Sequence, residues 1–144
     1  MLAALTLAAL AQCAGAIGVV TMNQPWVKPV AAKGSTRAFI VLGSSSDTAL
    51  VAVRSPMADV VLMRGASRVD AIDVAAGRTV EMSERGPHLA LHRVARRLEL
   101  GDRVPLTLTL RDPDGRTQDI EVSAEVRNRS PVDDERAGHG HHRH

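Results

Sequence analysis

Residues 77–110, GRTVEMSERGPHLALHRVARRLELGDRVPLTLTL, contain the pattern that decides the fold of this 144-residue chain. Between Pro87 and His92, polar or small residues alternate with leucine, as is typical of a strand. A period of two places His88, Ala90 and His92 on one face of that strand, with Leu89 and Leu91 on the other. From Val104 to Leu110, leucines alternate with threonines, which predicts another strand with one apolar face. Because one-sided strands pack in two layers, we expect three strands of a β-sandwich here.

Composition narrows the class of protein. The length suits one domain, and 44% of the residues are hydrophobic, yet Trp26 and Phe39 are the only aromatic residues. The core must therefore be aliphatic, and there is almost no aromatic platform for stacking nucleobases. The charged residues give a formal net charge of +2 and form no long runs of one sign, which is typical of a solvated surface. We therefore expect no nucleic-acid partner.

The first 16 residues, MLAALTLAALAQCAGA, form an uncharged apolar run that ends in the small triplet Ala14-Gly15-Ala16. This pattern predicts a secretory signal peptide and a periplasmic protein with no membrane span in the mature chain. A buried N-terminal helix is the alternative. Cys13, the single cysteine, excludes an internal disulfide. It resembles the cysteine of a lipoprotein cleavage box, but Gln12 occupies the position before it, where such a box has a small residue. We therefore expect Cys13 to be removed with the signal peptide.

The segment from residue 17 to residue 126 reads as one all-β domain, because strand patterns and turn residues recur at short intervals and no helical period is sustained. The other predicted strands are Ile17–Asn23, broken by Pro25 and Pro29, and Arg37–Gly43, Ala49–Arg54, Asp59–Arg64, Arg68–Val74, Arg78–Ser83 and Thr117–Val126. Turns are predicted at Ala75-Ala76-Gly77, Gly101-Asp102 and Asp112-Pro113-Asp114-Gly115.

Residues 127–144 are polar and are predicted to be a disordered tail. The tail ends in a histidine cluster formed by His139, His141, His142 and His144. Closely spaced imidazoles chelate Cu(II), zinc or nickel without requiring a fold, so the cluster is a metal-site candidate. The alternative interpretation is an ordinary polar terminus.

Several ordered blocks of the sequence resemble one known family. They are Gln24-Pro25-Trp26-Val27-Lys28-Pro29, Ala38–Leu42, Ser55–Ala58, Ala75–Met82, Gly86-Pro87-His88-Leu89 and Leu100–Leu108. On these blocks the chain resembles the PCu(A)C family of periplasmic copper chaperones, across most of its length. The resemblance implies a cupredoxin-like Greek-key β-sandwich or barrel that binds copper.

The resemblance also implies where copper ligands should lie. In that family copper is held by a His on the strand after the Ser-Pro turn, a Met in the next loop and a His-x-Met pair. The matching positions here hold Met63, His88 and Ala90, and residues 64–75 contain no Met. Met63 can donate sulfur, and His92 shares a strand face with His88, so we expect a Cu(I) site from Met63, His88 and His92. Core packing of Met63 and solvation of His92 are the alternatives.

Two functions follow. The first is a periplasmic chaperone that captures copper and delivers it to a partner, such as a respiratory oxidase subunit or another copper chaperone, as the resemblance implies. The alternative is a metal-free β-sandwich interaction module that has lost the copper site. No Ser-His-Asp context, Gly-rich phosphate loop or paired carboxylates are recognisable, so we do not expect an enzyme.

Overall fold

The computed structural model describes residues 18–131, and the secondary structure of that range consists of β-strands. The ten strands are β1 (Val20–Val27), β2 (Thr36–Ser44), β3 (Thr48–Arg54), β4 (Asp59–Arg64), β5 (Ser67–Arg68), β6 (Ile72–Val74), β7 (Thr79–Glu81), β8 (Pro87–His92), β9 (Arg103–Arg111) and β10 (Thr117–Val126). The predicted all-β class is confirmed. Residues 18–131 hold no helix long and apolar enough to cross a membrane. The predicted signal peptide and the tail histidines lie outside the described residues.

The strands form one curled sheet in the order β5-β4-β8-β2-β1-β10-β9-β3-β6, with β7 also paired to β2. Every pairing is antiparallel except that of β1 with β10, which is parallel. Near the two ends of this order, β3 and β4 contact each other, because only a short turn separates them in the chain. The sheet is therefore curled around one core, and no ladder among residues 18–131 joins its two ends.

The core is aliphatic, as the composition predicts. On β9, Leu106, Leu108 and Leu110 are each at most 1% exposed, while the threonines between them are partly exposed. On β8, Leu89 and Leu91 are fully buried and face the same core. The hydrophobic alternation of β9 is thus confirmed, whereas β8 is buried on both faces from His88 to Leu91.

Strand β1 differs from its prediction, because Pro25 does not end it. The register of β1 against β2 shifts between Asn23 and Trp26, and Gln24 adopts a φ of 52°. A bulge leaves a residue outside the ladder, so Pro25, which has no N–H to donate, is accommodated there. The strand resumes at Trp26 and Val27, which brings the tryptophan opposite Phe39 of β2.

The predicted single strand Arg68–Val74 is also wrong, because the structure divides it into β5 and β6. Strand β5 pairs with β4 at one edge of the sheet, whereas β6 pairs with β3 at the other edge. The segment between them crosses from one edge to the other where the sheet curls. The alternating pattern predicts extended chain, as observed, but it contains no information about the change of partner strand.

Candidate metal centre

Met63 and His88 are neighbours across two paired strands. Met63 of β4 lies directly opposite His88 of β8 in the antiparallel register, so both side chains are on the same face of the sheet. Such opposed residues have their Cβ atoms about 4.5–5.5 Å apart. This side of the sheet lies opposite the one to which Leu89 contributes, and it is also covered here, because His88 and Ala90 are buried. The structure therefore brings a thioether and an imidazole together.

The orientation of the His88 ring is fixed by the turn before β8. Its Nδ1 lies 3.1 Å from the carbonyl oxygen of Gly86, which only accepts, so Nδ1 carries the hydrogen and donates. The same carbonyl accepts from the Gly65 N–H at 3.0 Å, which ties the turn to the end of β4. This tautomer leaves the Nε2 lone pair available, and a backbone carbonyl that orients the other ring nitrogen is a usual support for a metal-binding histidine.

Two aromatic rings extend the row of side chains beyond His88. The Phe39 ring centroid lies 6.2 Å from that of His88, and the Trp26 ring lies 4.8 Å from that of Phe39. Trp26, Phe39 and His88 are all nearly buried, and His88 is only 2% exposed. Thus the two aromatic residues of the chain line one side of the candidate centre and limit its contact with water.

His92 lies apart from this pair. It is on the same face by strand parity, but four residues along a strand correspond to about 13 Å. It is exposed, lies opposite Asp59, and its Nδ1 is 3.0 Å from the Ser35 hydroxyl oxygen. The structure therefore does not bring His92 and His88 to a common point. Ala90, between them, is buried and provides no donor.

The other described methionines belong to the core or pack against it. Met82 is 6% exposed and belongs to the core cluster, and Met22 and Met57 pack against that cluster. Within residues 18–131, no group of three or more His, Cys, Asp or Glu side chains is placed to hold a metal. The centre therefore offers one sulfur and one nitrogen, a soft donor set that suits Cu(I) better than hard cations. The four tail histidines fall outside the described residues.

Three arginines lie near the pair, and sequence reasoning missed them. Arg68 lies opposite Met63, Arg37 lies opposite Ala90, and Arg85 precedes Gly86. All three are exposed, and none forms an ion pair with a described residue. Two nearby carboxylates are already engaged, Asp59 by Arg93 and Glu84 by Lys28. Strand parity applied to the charged residues could have revealed Arg37, but not the β4–β5 pairing that places Arg68.

Comparison with known proteins identifies the family and the fold. A family described as LpqE-like lipoproteins matches residues 20–126. The chain is similar to the copper-bound PCuAC domain of PmoF2, at 21% identity over 79% of this chain and 97% of that one, with a TM-score of 0.64. It is also similar to the apo PCuAC domain of PmoF1, at 17% identity over 79% and 98% of the two chains, with a TM-score of 0.66.

A further similarity is to the Cu(I) form of DR1885 from Deinococcus radiodurans. The identity is 27% over 82% of this chain and 85% of that one, with a TM-score of 0.55. No curated protein matches the chain in sequence. The cupredoxin-like fold expected from the sequence is therefore confirmed.

Proposed function

The chain belongs to the LpqE-like lipoprotein family and has the fold of PCuAC domains, and we propose that it is an exported copper chaperone that captures copper and delivers it to a partner. The family resemblance inferred from the sequence is confirmed by these matches. Copper is the cargo in this proposal, and the receiver is a copper-dependent oxidase subunit or another copper chaperone. The proposal assigns the chain no enzymatic activity.

The observation that supports the proposal is the direct pairing of Met63 with His88. A thioether and a neutral imidazole are donors that Cu(I) prefers. The Gly86 carbonyl orients the ring and leaves Nε2 as the metal-binding atom. A centre with only two donors from the folded domain holds copper less firmly than a closed site with more ligands, and a weakly held ion is the one that a chaperone can release to its receiver.

Copper-dependent stabilisation of the folded chain tests the proposal. The four-histidine variant of the full chain, carrying His139→Ala, His141→Ala, His142→Ala and His144→Ala, removes the tail donors. Without oxygen and at Cu(I) near 100 times the dissociation constant, we expect about 2.7 kcal/mol of added stability, because copper binds only the native state. Adding His88→Ala should abolish the stabilisation, whereas His92→Ala, which changes an exposed histidine of the same strand, should not.

The metal-free interaction module remains the second candidate function, and one observation favours it. His88 is 2% exposed and already donates to a carbonyl, as a purely structural histidine would. In that case Cu(I) would leave the unfolding temperature of the four-histidine variant unchanged. The His88→Ala substitution would then lower stability without altering any response to copper.

Export is also part of the proposal, with residues 1–16 removed as a signal peptide. The name of the family makes lipid attachment at Cys13 the direct alternative. Mass spectrometry of the protein recovered from the producing cell separates the two. Cleavage after Ala16 leaves a chain that begins at Ile17 and partitions into the aqueous phase, whereas attachment gives a diacylated N-terminal Cys13 that is lost in the Cys13→Ser variant.

A further inference from the structure

One pole of the protein carries an excess of positive charge. We call it the basic cap, and it consists of the β1–β2 loop (residues 28–35), the β3–β4 turn (55–58), the β8–β9 loop (93–102) and residues 127–131 after β10. Its two acidic residues are Glu99 and Asp102. Its seven cationic residues are Lys28, Lys33, Arg93, Arg96, Arg97, Arg127 and Arg129. The formal net charge of the cap is therefore +5.

The other described connections have the opposite balance. Residues 45–47, 65–66, 69–71, 75–78, 82–86 and 112–116 together hold three arginines and five acids, a net charge of −2. Three cations of the cap contact carboxylates next to it, which are Asp59, Glu84 and Glu125. Even with these three carboxylates counted, the net charge of the cap is +2. The fold thus concentrates cations that are mixed with acids along the sequence.

Backbone hydrogen bonds join the loops of the cap to one another. Val30 of the β1–β2 loop and Leu98 of the β8–β9 loop exchange two hydrogen bonds, at 2.8 and 3.3 Å. The Ala95 N–H donates to the Met57 carbonyl at 2.7 Å, which adds the β3–β4 turn. Val94 and Leu98 are at most 2% exposed and fix the β8–β9 loop to the core. Because the surface is formed before a partner binds, docking does not have to order it.

One leucine projects from this surface. Leu100 is 58% exposed, and Val19 is the only other large hydrophobic residue of 18–131 that is exposed. Leu100 lies in a tight turn closed by the Asp102 N–H, which donates to the Glu99 carbonyl at 3.0 Å, and Gly101 has the φ of 91° that this turn requires. The Asp102 carboxylate also accepts from the Glu99 N–H at 2.9 Å. The turn therefore holds an apolar side chain in solvent, an arrangement that a covering partner stabilises.

A depression of about 740 Å³ lies beside Leu100. Its lining includes the aliphatic residues Val30 and Leu98 and the guanidinium-bearing Arg97. The ion pair of Arg97 with Glu99 is exposed and contributes little to stability, so a carboxylate of a partner can replace it. A projection next to a depression is complementary to a structured protein surface. A lipid layer is flat and fluid, and it would leave the depression unfilled.

The cap is continuous with the surface beside the candidate metal centre. Asn128 lines the depression next to Leu100 and also the one formed over Trp26 and Phe39. The Phe39 ring centroid in turn lies 6.2 Å from that of His88. A protein that docks on the cap is therefore placed close to His88.

We propose that the basic cap is the docking surface for an acidic protein, with Leu100 in an apolar recess of that protein and carboxylates around the recess. Complementary charge of this kind raises the rate of association and selects the partner, while the burial of apolar surface contributes to affinity. This inference deepens the proposed function, and it rests on that function only in identifying the acidic protein as the receiver of copper. The docking surface itself does not require copper.

Nuclear magnetic resonance of the ¹⁵N-labelled full chain tests the surface with synthetic peptides as probes. The first peptide, Glu-Asp-Leu-Leu-Asp-Glu, has carboxylates on both sides of two leucines. A second peptide replaces the leucines by serines, and a third replaces the carboxylates by lysines. We expect the first peptide to shift the amide signals of the cap selectively and to bind more weakly as salt is added, because salt screens exposed charges. The serine peptide should bind severalfold more weakly, and the lysine peptide should not bind.

Variants of the full chain locate the site. Lys33→Glu together with Arg97→Glu should abolish measurable binding of the first peptide. The matched control, Arg78→Glu with Arg111→Glu, makes the same change in net charge at exposed positions outside the cap and should leave the affinity almost unchanged. Leu100→Ser should weaken the leucine peptide severalfold and leave the serine peptide unaffected. All of these side chains are exposed, and urea unfolding of each variant verifies that it is folded.

Three results would overturn the inference. They are shifts spread evenly over the described surface, equal losses from the cap reversal and its control, and equal affinities for the leucine and serine peptides. Vesicles of phosphatidylcholine and phosphatidylglycerol test the other occupant, and their binding through Leu100 without any binding of the leucine peptide would assign the cap to a lipid surface instead. Failure of docking leaves the copper-stabilisation test untouched, since that test needs no partner. If copper fails to stabilise the chain but the peptide binds, the cap belongs to the metal-free interaction module.

Discussion

Met63 is the residue whose role differs most between the two candidate functions. As a copper ligand it contributes a sulfur atom, whereas as packing it contributes only volume. Its side chain is half-buried and lies between His88 and Arg68, so geometry is consistent with either role. A substitution that preserves volume and removes sulfur separates them.

Met63→Leu is that substitution. We expect it to lower the Cu(I) affinity of the four-histidine variant about tenfold or more, while the stability of the metal-free protein changes by less than about 1.5 kcal/mol, as is usual for a Leu-for-Met exchange. Met57→Leu, at a partly buried methionine packed on the core, is the matched control and should leave affinity unchanged. An equal Cu(I) affinity for Met63→Leu would remove Met63 from the centre.

Gln118 gives a second prediction for a residue, this time about stability. Its Oε1 is buried and has no hydrogen-bond partner among the described residues, and the side chain lies opposite Leu110 of the core. A buried acceptor left unsatisfied costs about 1–3 kcal/mol. Gln118→Leu should therefore stabilise the protein by about 1 kcal/mol, measured by urea unfolding. Ser123→Val at an exposed position of β10 should have little effect, and a net loss of stability for Gln118→Leu would show that the amide is needed.

The sequence identifies His88 and Met63 as candidate ligands, but it does not identify the groups that surround them. Alternation assigns His88 to a strand face, and the family blocks point to both residues. The same alternation assigns His92 to that face. Strand parity does not indicate, however, that His88 and His92 are about 13 Å apart. The hydrogen bond to the Gly86 carbonyl cannot be predicted from side-chain patterns, because every residue has a backbone carbonyl. These are properties of register and turn geometry, which depend on pairings between distant segments.

At the scale of elements, the β9–β10 turn is held by a carboxylate. Asp112 accepts hydrogen bonds from the backbone amides of Asp114 and Arg116 and from the Arg116 guanidinium at 2.8 Å, and Gly115 completes the turn with a φ of 89°. Burial alone would raise the pKa of the Asp112 carboxyl, but the Arg116 amide and charge and the Asp114 amide hold it below its ordinary value of 3.8. The folded state therefore favours the ionised form.

This turn predicts a contribution to stability that depends on pH. Because the pKa of Asp112 is lowered on folding, the contribution is complete above 3.8 and is lost as pH falls through the lower folded value. Asp112→Asn should destabilise the protein at neutral pH, and the difference from wild type should shrink as urea unfolding is repeated from about pH 5 towards pH 2. Asp114→Asn, an exposed partner of the same arginine, is the control with a small effect. A difference that does not vary with pH would contradict the assignment.

The sequence predicts an element well where the residues of that element determine its structure. Asp59–Arg64 forms a strand with the predicted ends, and in the predicted turn Ala75-Ala76-Gly77 the glycine has a φ of 73°. The failures, at Pro25 and across Arg68–Val74, occur where a partner strand decides instead. A bulge accommodates Pro25 within β1. The segment Arg68–Val74 is divided because its two parts pair with strands at different edges of the sheet. Neither cause can be predicted from the sequence of the segment alone.

For the whole molecule, the pairing of β1 with β10 is the only ladder among residues 18–131 that joins the strands β1, β2, β4, β5, β7 and β8 to the strands β3, β6, β9 and β10. Because one core lies beneath both groups, we expect a single cooperative unfolding transition. Trp26 is the only tryptophan and is 7% exposed at this junction, so its fluorescence reports on the junction itself. Unfolding curves from Trp26 fluorescence and from far-ultraviolet circular dichroism should coincide. Two separated midpoints would show that the groups unfold independently.

The direction of β1 also fixes which pole of the protein carries its chemistry. The strand starts at Val20, opposite Ser44, and reaches Trp26 only about 20 Å further along. The parallel course of β10 ends at the same pole as Trp26, where Val126 lies opposite Val27. Met63 and His88 lie at the level of Trp26, and β4 and β8 extend beyond them to Asp59 and His92 toward the same pole. A tether through the residues before Val20 would therefore lie nearer to Met63 and His88 than to Asp59 and His92.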